Sequence, residues 1–347
     1  VTGVSGTGPW PGADPLEAQT TVLGDVADVP EGVEGLPWVV RLPERGPYGT
    51  LAADGLAHLV EMPAELGPHG WRLADRPGLD ATRLAAAHRA DLDALAVAAH
   101  GWSGPLVLAV PGPLSLAASV DLARGDRVVG DAGAVAELTE SLAVGVADRL
   151  ADVVRVVPGA RPTVLLHEPL LAAVVAGVLP TFSGYARLRA VPAPVASERL
   201  ARVVAVLRAD GAERVVLHVG AGTAAVGAAR GAGADALGVD VAALDERRWE
   251  AVAEAVEAGT ALWAAVPQPE TSQCAGPDVR GVADAVLRGW DRVGLEPARL
   301  RDVVLLAPAG PAVPAAGDAG VLDPAAARST LATVARAAAV VAERAES

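Results

Sequence analysis

The stretch that decides the fold is Arg214-Val215-Val216-Leu217-His218-Val219-Gly220-Ala221-Gly222-Thr223, followed after a short helix-like segment by Ala236-Leu237-Gly238-Val239-Asp240. Two apolar runs of strand length flank a glycine turn and an alanine-rich stretch of helical character. That is the pattern of a parallel βαβ unit. Working outward, the unit repeats. Toward the N-terminus, Thr163–Leu166 precedes helical segments at Leu170–Val178 and Ser197–Arg208, and Leu106–Val110 precedes Ala132–Val156. Toward the C-terminus, Ala236–Asp240 leads into Glu246–Ala258, Ala261–Val266 into Val279–Val293, and Val303–Ala307 into Pro324–Glu343. Val1–Gly6 and His58–Met62 supply two further candidate strands, which makes eight. The strands are almost wholly apolar, as strands covered on both faces should be. Eight such units predict a single-domain (β/α)₈ TIM barrel over residues 1–347, with an irregular, Pro- and Gly-rich excursion at about 30–80 within the first two units.

Composition agrees with a globular chain and narrows its partners. Hydrophobic residues make up 52% and charged residues 20%, enough apolar area to offset the entropy of ordering. The net charge of −14 gives no electrostatic reason to bind nucleic acid or an anionic membrane. All 28 basic residues are arginine, and aromatics are only 3%, too few for base-stacking platforms. The lone Cys274 excludes an intrachain disulfide and a multi-cysteine zinc site. No basic-then-apolar leader opens the sequence, and the longest uncharged apolar run, near Leu170–Leu179, is about half a membrane span. A soluble, cytoplasmic protein acting on a small-molecule ligand is the expectation.

In a barrel of parallel strands the chemistry lies at the strands' C-terminal ends. Here the Thr163 strand ends in His167-Glu168-Pro169, the Arg214 strand in His218 and the Ala236 strand in Asp240. The loop after the Ala261 strand holds Glu270, Gln273 and Cys274. His167 and Glu168 form the candidate catalytic pair, because ionisable groups at the end of a buried strand are costly without a purpose. The alternative for that pair is a helix-capping Glu beside a surface His. A competing motif overlaps the same region. Gly220-x-Gly222-x-x-Ala225 follows a strand, opens a helix, and is followed by Asp240 at the spacing of a dinucleotide-binding fingerprint.

Several segments together resemble the catalytic C-terminal barrel of cobalamin-independent methionine synthase. The likeness is strongest to the short single-barrel actinobacterial members of that uroporphyrinogen decarboxylase/methionine synthase-like superfamily. The carriers are Gly8-Pro9-Trp10-Pro11-Gly12-Ala13-Asp14, Gly70-Trp71-Arg72-Leu73-Ala74-Asp75-Arg76-Pro77-Gly78 and Leu166-His167-Glu168-Pro169. Ser183-Gly184-Tyr185, Leu188-Arg189-Ala190-Val191-Pro192, Val216-Leu217-His218 and the Leu295–Ala309 segment follow in the same order. The resemblance implies methyl transfer from a folate to homocysteine, with one zinc held by a His, two Cys and an acidic residue. Mapped by motif, the zinc His is His218 and the acidic ligand Asp240, while the two Cys positions carry Gly220 and Ala309. Trp10, Asp14 and Glu168 correspond to the substrate-binding positions, but Pro9 stands where the family has Ser and His167 where it has Asp. Both thiolates are therefore missing, and the expectation is that zinc binding is weak or absent. Zinc would need a third donor from Cys274 or His167 beside His218 and Asp240. Catalysis is then altered or lost, and a non-catalytic barrel that binds a small molecule or a partner protein is the alternative.

Overall fold

A computed structural model describes residues 1–269, 271–272, 276–309 and 322–347. Glu270, Gln273 and Cys274 lie outside the described residues. The eight barrel strands, in chain order, are β1 (Gly3–Gly6), β2 (Glu34–Gly35), β3 (Ser103–Pro111), β4 (Gly159–His167), β5 (Arg214–His218), β6 (Ala236–Asp240), β7 (Ala261–Ala265) and β8 (Val304–Ala307). They form one parallel sheet in the order β2-β1-β8-β7-β6-β5-β4-β3. The ring closes where the chain beyond β2 meets β3. There Val39 N–H donates to Val107 O and Val107 N–H to Pro37 O, each at 2.8 Å. This is the (β/α)₈ architecture expected from the repeat of apolar runs.

One strand lies elsewhere than expected. His58–Met62 is not a strand: His58 ends the helix Leu51–His58, and residues 59–62 carry no regular structure. The eighth barrel strand is Glu34–Gly35, extended through Leu36–Val39 into the closing contact with β3. Only two residues make a regular ladder there, and Pro37 interrupts the apolar run Leu36-Pro37-Trp38-Val39-Val40 and removes a donor, so the segment lacks the unbroken run that marks a strand. The excursion at about 30–80 thus contains a barrel strand. Its remainder is a turn of tight helix at Pro43–Gly49, the helix Leu51–His58 and an antiparallel hairpin pairing Ala64–Gly67 with Gly70–Leu73.

The interior is filled by Val and Leu from the strands and by Trp38, which is 2% exposed. A Cβ on Gly6 would stand 2.6 Å from the Trp38 indole, so the glycine makes the seat for that ring. Outside the barrel, Gly145 brings the long helix Ala132–Val156 against the end of the helix Leu51–His58, and a Cβ there would overlap the His58 carbonyl oxygen. Asp14, Asp131, Asp245, Asp278 and Asp323 each cap a helix through their side chains. Part of the acidic charge is therefore structural, placed where the helix dipole and the free N–H groups favour it. No helix among the described residues is long and apolar enough to cross a membrane.

Candidate functional site

Parallel pairing puts His167 of β4 opposite His218 of β5, and His218 opposite Gly238 of β6. Residues in register on neighbouring strands share a face, so both imidazoles stand in one row at the C-terminal end of the barrel. Their ring centroids are 5.1 Å apart at 60°. Gly238 leaves space for the His218 ring, since a Cβ there would approach it to 2.7 Å. His218 Nε2 lies 3.5 Å from Asp240 Oδ1, too long for a strong hydrogen bond. The His218 ring is nearly buried and both of its nitrogens lack a hydrogen-bond partner. The Asp240 side chain is half exposed. Burial raises its pKa, but the contact with His218 and the charge of the two imidazoles outweigh this and hold it below the usual carboxylate range.

His167 Nε2 is 2.7 Å from the carbonyl oxygen of Thr7. A carbonyl only accepts, so Nε2 carries the proton and Nδ1 the lone pair. Burial, reinforced by the neighbouring His218, lowers the His167 pKa to about 3. The imidazole is neutral at pH 7, and its contribution to stability is lost only as pH falls below the unfolded value toward 3. Nitrogen-detected NMR is expected to show His167 as the Nε2–H tautomer from pH 5 upward. An imidazolium signal at pH 5 would contradict this arrangement.

Glu168 points the other way. Its backbone N–H donates to His218 O at 2.7 Å. Its fully buried carboxylate accepts from Leu114 N (2.9 Å), Ser115 N (2.7 Å) and Ser115 Oγ (2.7 Å) at the start of the helix Pro113–Ser119. Burial is the dominant influence and raises its pKa to about 7, against those three hydrogen bonds. Glu168 therefore locks the end of β4 to the helix after β3. It does not join His167, His218 and Asp240.

The remaining sequence candidates are also held by the protein's own contacts. Trp10 is buried edge-on against Trp38, with centroids 5.9 Å apart. Asp14 caps its helix by accepting from Leu16 N and Glu17 N. Gly220 has φ +66°, and a Cβ there would lie 3.4 Å from Asp240 Oδ2, beside the candidate metal pair. Ala309 is nearly buried. For the dinucleotide motif, Gly222 is packed against the helix Leu171–Ala176, where a Cβ would come within 2.3 Å of Ala172 Cβ. The Asp240 carboxylate lies beside His218 and Gly220. This glycine turn is the fifth unit of a barrel, and the geometry does not favour a dinucleotide site.

Among the described residues, one trio of His, Cys, Asp or Glu side chains converges to metal-binding range, and it is not at the mouth. It is Asp54, His58 and His88. The sequence reading did not single these out, although Asp54 and His58, one helical turn apart, carried the signal.

No protein-family model matches the chain, and no curated protein matches it. Among solved structures the chain is similar to a B12-independent methionine synthase from Shewanella sp. W3-18-1, determined in complex with selenomethionine. The TM-score is 0.57 at 9% identity, covering 98% of this chain and 97% of that one. At that identity the likeness establishes the shared barrel fold.

Proposed function

We propose that the chain is a methionine-synthase-like barrel that binds a small amino-acid-type molecule at its mouth and has lost the zinc-assisted form of thiol methyl transfer. The observation that carries this reading is the convergence of His167, His218 and Asp240 on one rim, with Gly220 beside Asp240 where the resemblance expects a thiolate. The likeness to a methionine synthase holding selenomethionine supports the ligand class.

The residues present do not fit the zinc of that family. A catalytic zinc takes about three protein donors, and the mouth offers His218 and Asp240. His167 keeps the Nδ1 lone pair, but among the described residues its side chain does not converge with His218 and Asp240 to metal-binding range. Cys274, the other third donor considered, lies outside the described residues.

A thiol with pKa near 8.5 is only a few per cent thiolate at pH 7 without a metal. His218, beside the Asp240 carboxylate, is the group able to take the thiol proton, which contributes only about 10²–10⁴-fold. The mouth is therefore suited to holding a small polar ligand between two imidazoles and one carboxylate.

The test is a purified assay with methyl-folate and homocysteine, backed by complementation of a methionine auxotroph and calorimetry with methionine and homocysteine. Binding without turnover, weakened by His218→Ala, is expected. Robust turnover abolished by His218→Ala would restore the full enzymatic reading. Absence of binding to either amino acid would remove the ligand class.

A further inference from the structure

A second set of metal-ligating groups lies outside the barrel and apart from the mouth. Asp54 and His58 stand one turn apart on the helix Leu51–His58, and His88 reaches them from the helix Leu79–Ala98. Their candidate ligand atoms all lie within 4.8 Å of one another, and His58 Nε2 is 3.7 Å from Asp54 Oδ1. The two rings meet edge to face, with centroids 4.8 Å apart at 83°. The side chain of His58 is 2% exposed. His58 Nε2 and Asp54 Oδ2 are buried without any hydrogen-bond partner, which is unusual for polar atoms removed from water. Asp54 and His88 line a small cavity of about 40 Å³, room for an ion and one accompanying water.

We propose that Asp54, His58 and His88 form a binding site for a divalent transition-metal ion of the zinc type, a structural ion that ties the helix Leu51–His58 to the helix Leu79–Ala98. The donor set is two imidazoles and one carboxylate, which suits zinc or cobalt, with a water from the cavity completing a tetrahedron. Ligand atoms in such a tetrahedron stand about 3.3 Å apart. The present ligand atoms, all within 4.8 Å of one another, stand wider than that.

Arg149 faces the same cavity, largely buried, with Asp54, Asp91 and Asp152 as the carboxylates around it. Arg41 and Arg45 also line it, and Arg45 pairs with Asp91 at 2.6 Å. The arginine field opposes ions held by charge alone. It selects against magnesium and calcium, which need several oxygen ligands, and leaves ions whose bonds to imidazole nitrogen are strong.

The test uses the full chain, stripped with chelator and titrated with Co²⁺, read by its visible d–d absorption, then with Zn²⁺ in competition. Asp54→Asn preserves shape, and His88 is only partly buried, so His88→Ala should fold even if a His58 variant does not. One equivalent of cobalt with a tetrahedral spectrum is expected. Each of the two variants should weaken binding at least about tenfold, and His218→Ala should leave it unchanged. A cavity that holds only water would show no binding up to about 100 µM metal, on the scale where affinity becomes negligible. That result overturns the proposal, as does binding that survives His88→Ala or disappears in His218→Ala.

Discussion

Zinc affinity at the barrel mouth should rise by about 10³-fold or more when Gly220 and Ala309 are both replaced by cysteine. The mouth now offers one imidazole and one carboxylate, 3.5 Å apart. Two thiolates would complete four donors, neutralise the ion and add two strong Zn–S bonds. A Cβ at residue 220 lies 3.4 Å from Asp240 Oδ2, so a sulfur there is beside the existing carboxylate, with no backbone in the way. The cost is a side chain at φ +66°, about 1–2 kcal/mol. That strain is carried with and without the ion, so it lowers the stability of the fold and leaves the affinity gain, about 4 kcal/mol for a thousandfold, intact. The measurement is competition against a chromophoric chelator in a His88→Ala background, which removes the outer trio. Sulfur-to-cobalt charge-transfer bands should appear only in the doubly substituted protein. Unchanged affinity would mean that residues 220 and 309 do not face one ion, and the motif mapping would fall with it.

Glu168→Ala should lower the free energy of unfolding by about 3–5 kcal/mol, although residue 168 follows directly on His167 of the mouth. The substitution strips Leu114 N, Ser115 N and Ser115 Oγ of their acceptor inside the protein and leaves a hole where the carboxylate was. Urea titration measures it, with Glu168→Gln as the companion. The pH dependence has a definite sign. The folded carboxyl titrates at about 7 and the unfolded one at 4.5, so the folded state holds an extra proton between those values. Glu168's contribution is complete below 4.5 and falls as pH rises through about 7. The stability advantage of the wild type over Glu168→Gln should therefore shrink by about 2–3 kcal/mol from pH 5 to pH 8. An advantage that stays constant over that range would show a carboxylate ionised throughout.

Elements governed by local pattern were legible in the sequence. The strands Arg214–His218 and Ala236–Asp240 and the helix Ala132–Val156 have the bounds read from their apolar runs. Each carries its own signal, a continuous buried stretch or a helical stripe. Glu34–Gly35 carries none, because its place in the ring depends on partners in β1 and, through Trp38, in β3. The orientation of His167 against Glu168 was undecidable for a similar reason. Alternation says only that neighbours face opposite ways. The side that accepts the carboxylate is set by Gly112 at the end of β3, where a Cβ would stand 2.3 Å from the Glu168 carboxylate oxygen. Long-range assembly likewise joins His88 to Asp54 and His58 across two helices, a meeting that no spacing records.

The seam between β1 and β8 has a consequence for how the molecule is made. Gly3 to Gly6 pair with Val304 to Ala307, Thr2 Oγ1 donates to Leu300 O, and Arg328 grips Asp25 with two hydrogen bonds. A ribosome adds about 5–20 residues per second, so β8 is synthesised about 15–60 s after β1. Throughout that interval the nascent sheet has an open edge at β1, with the N–H and C=O groups of one side unmatched. Vectorial synthesis thus produces a half-ring before a ring. The window in which a chaperone or a neighbouring nascent chain can engage that edge ends only when the last strand arrives.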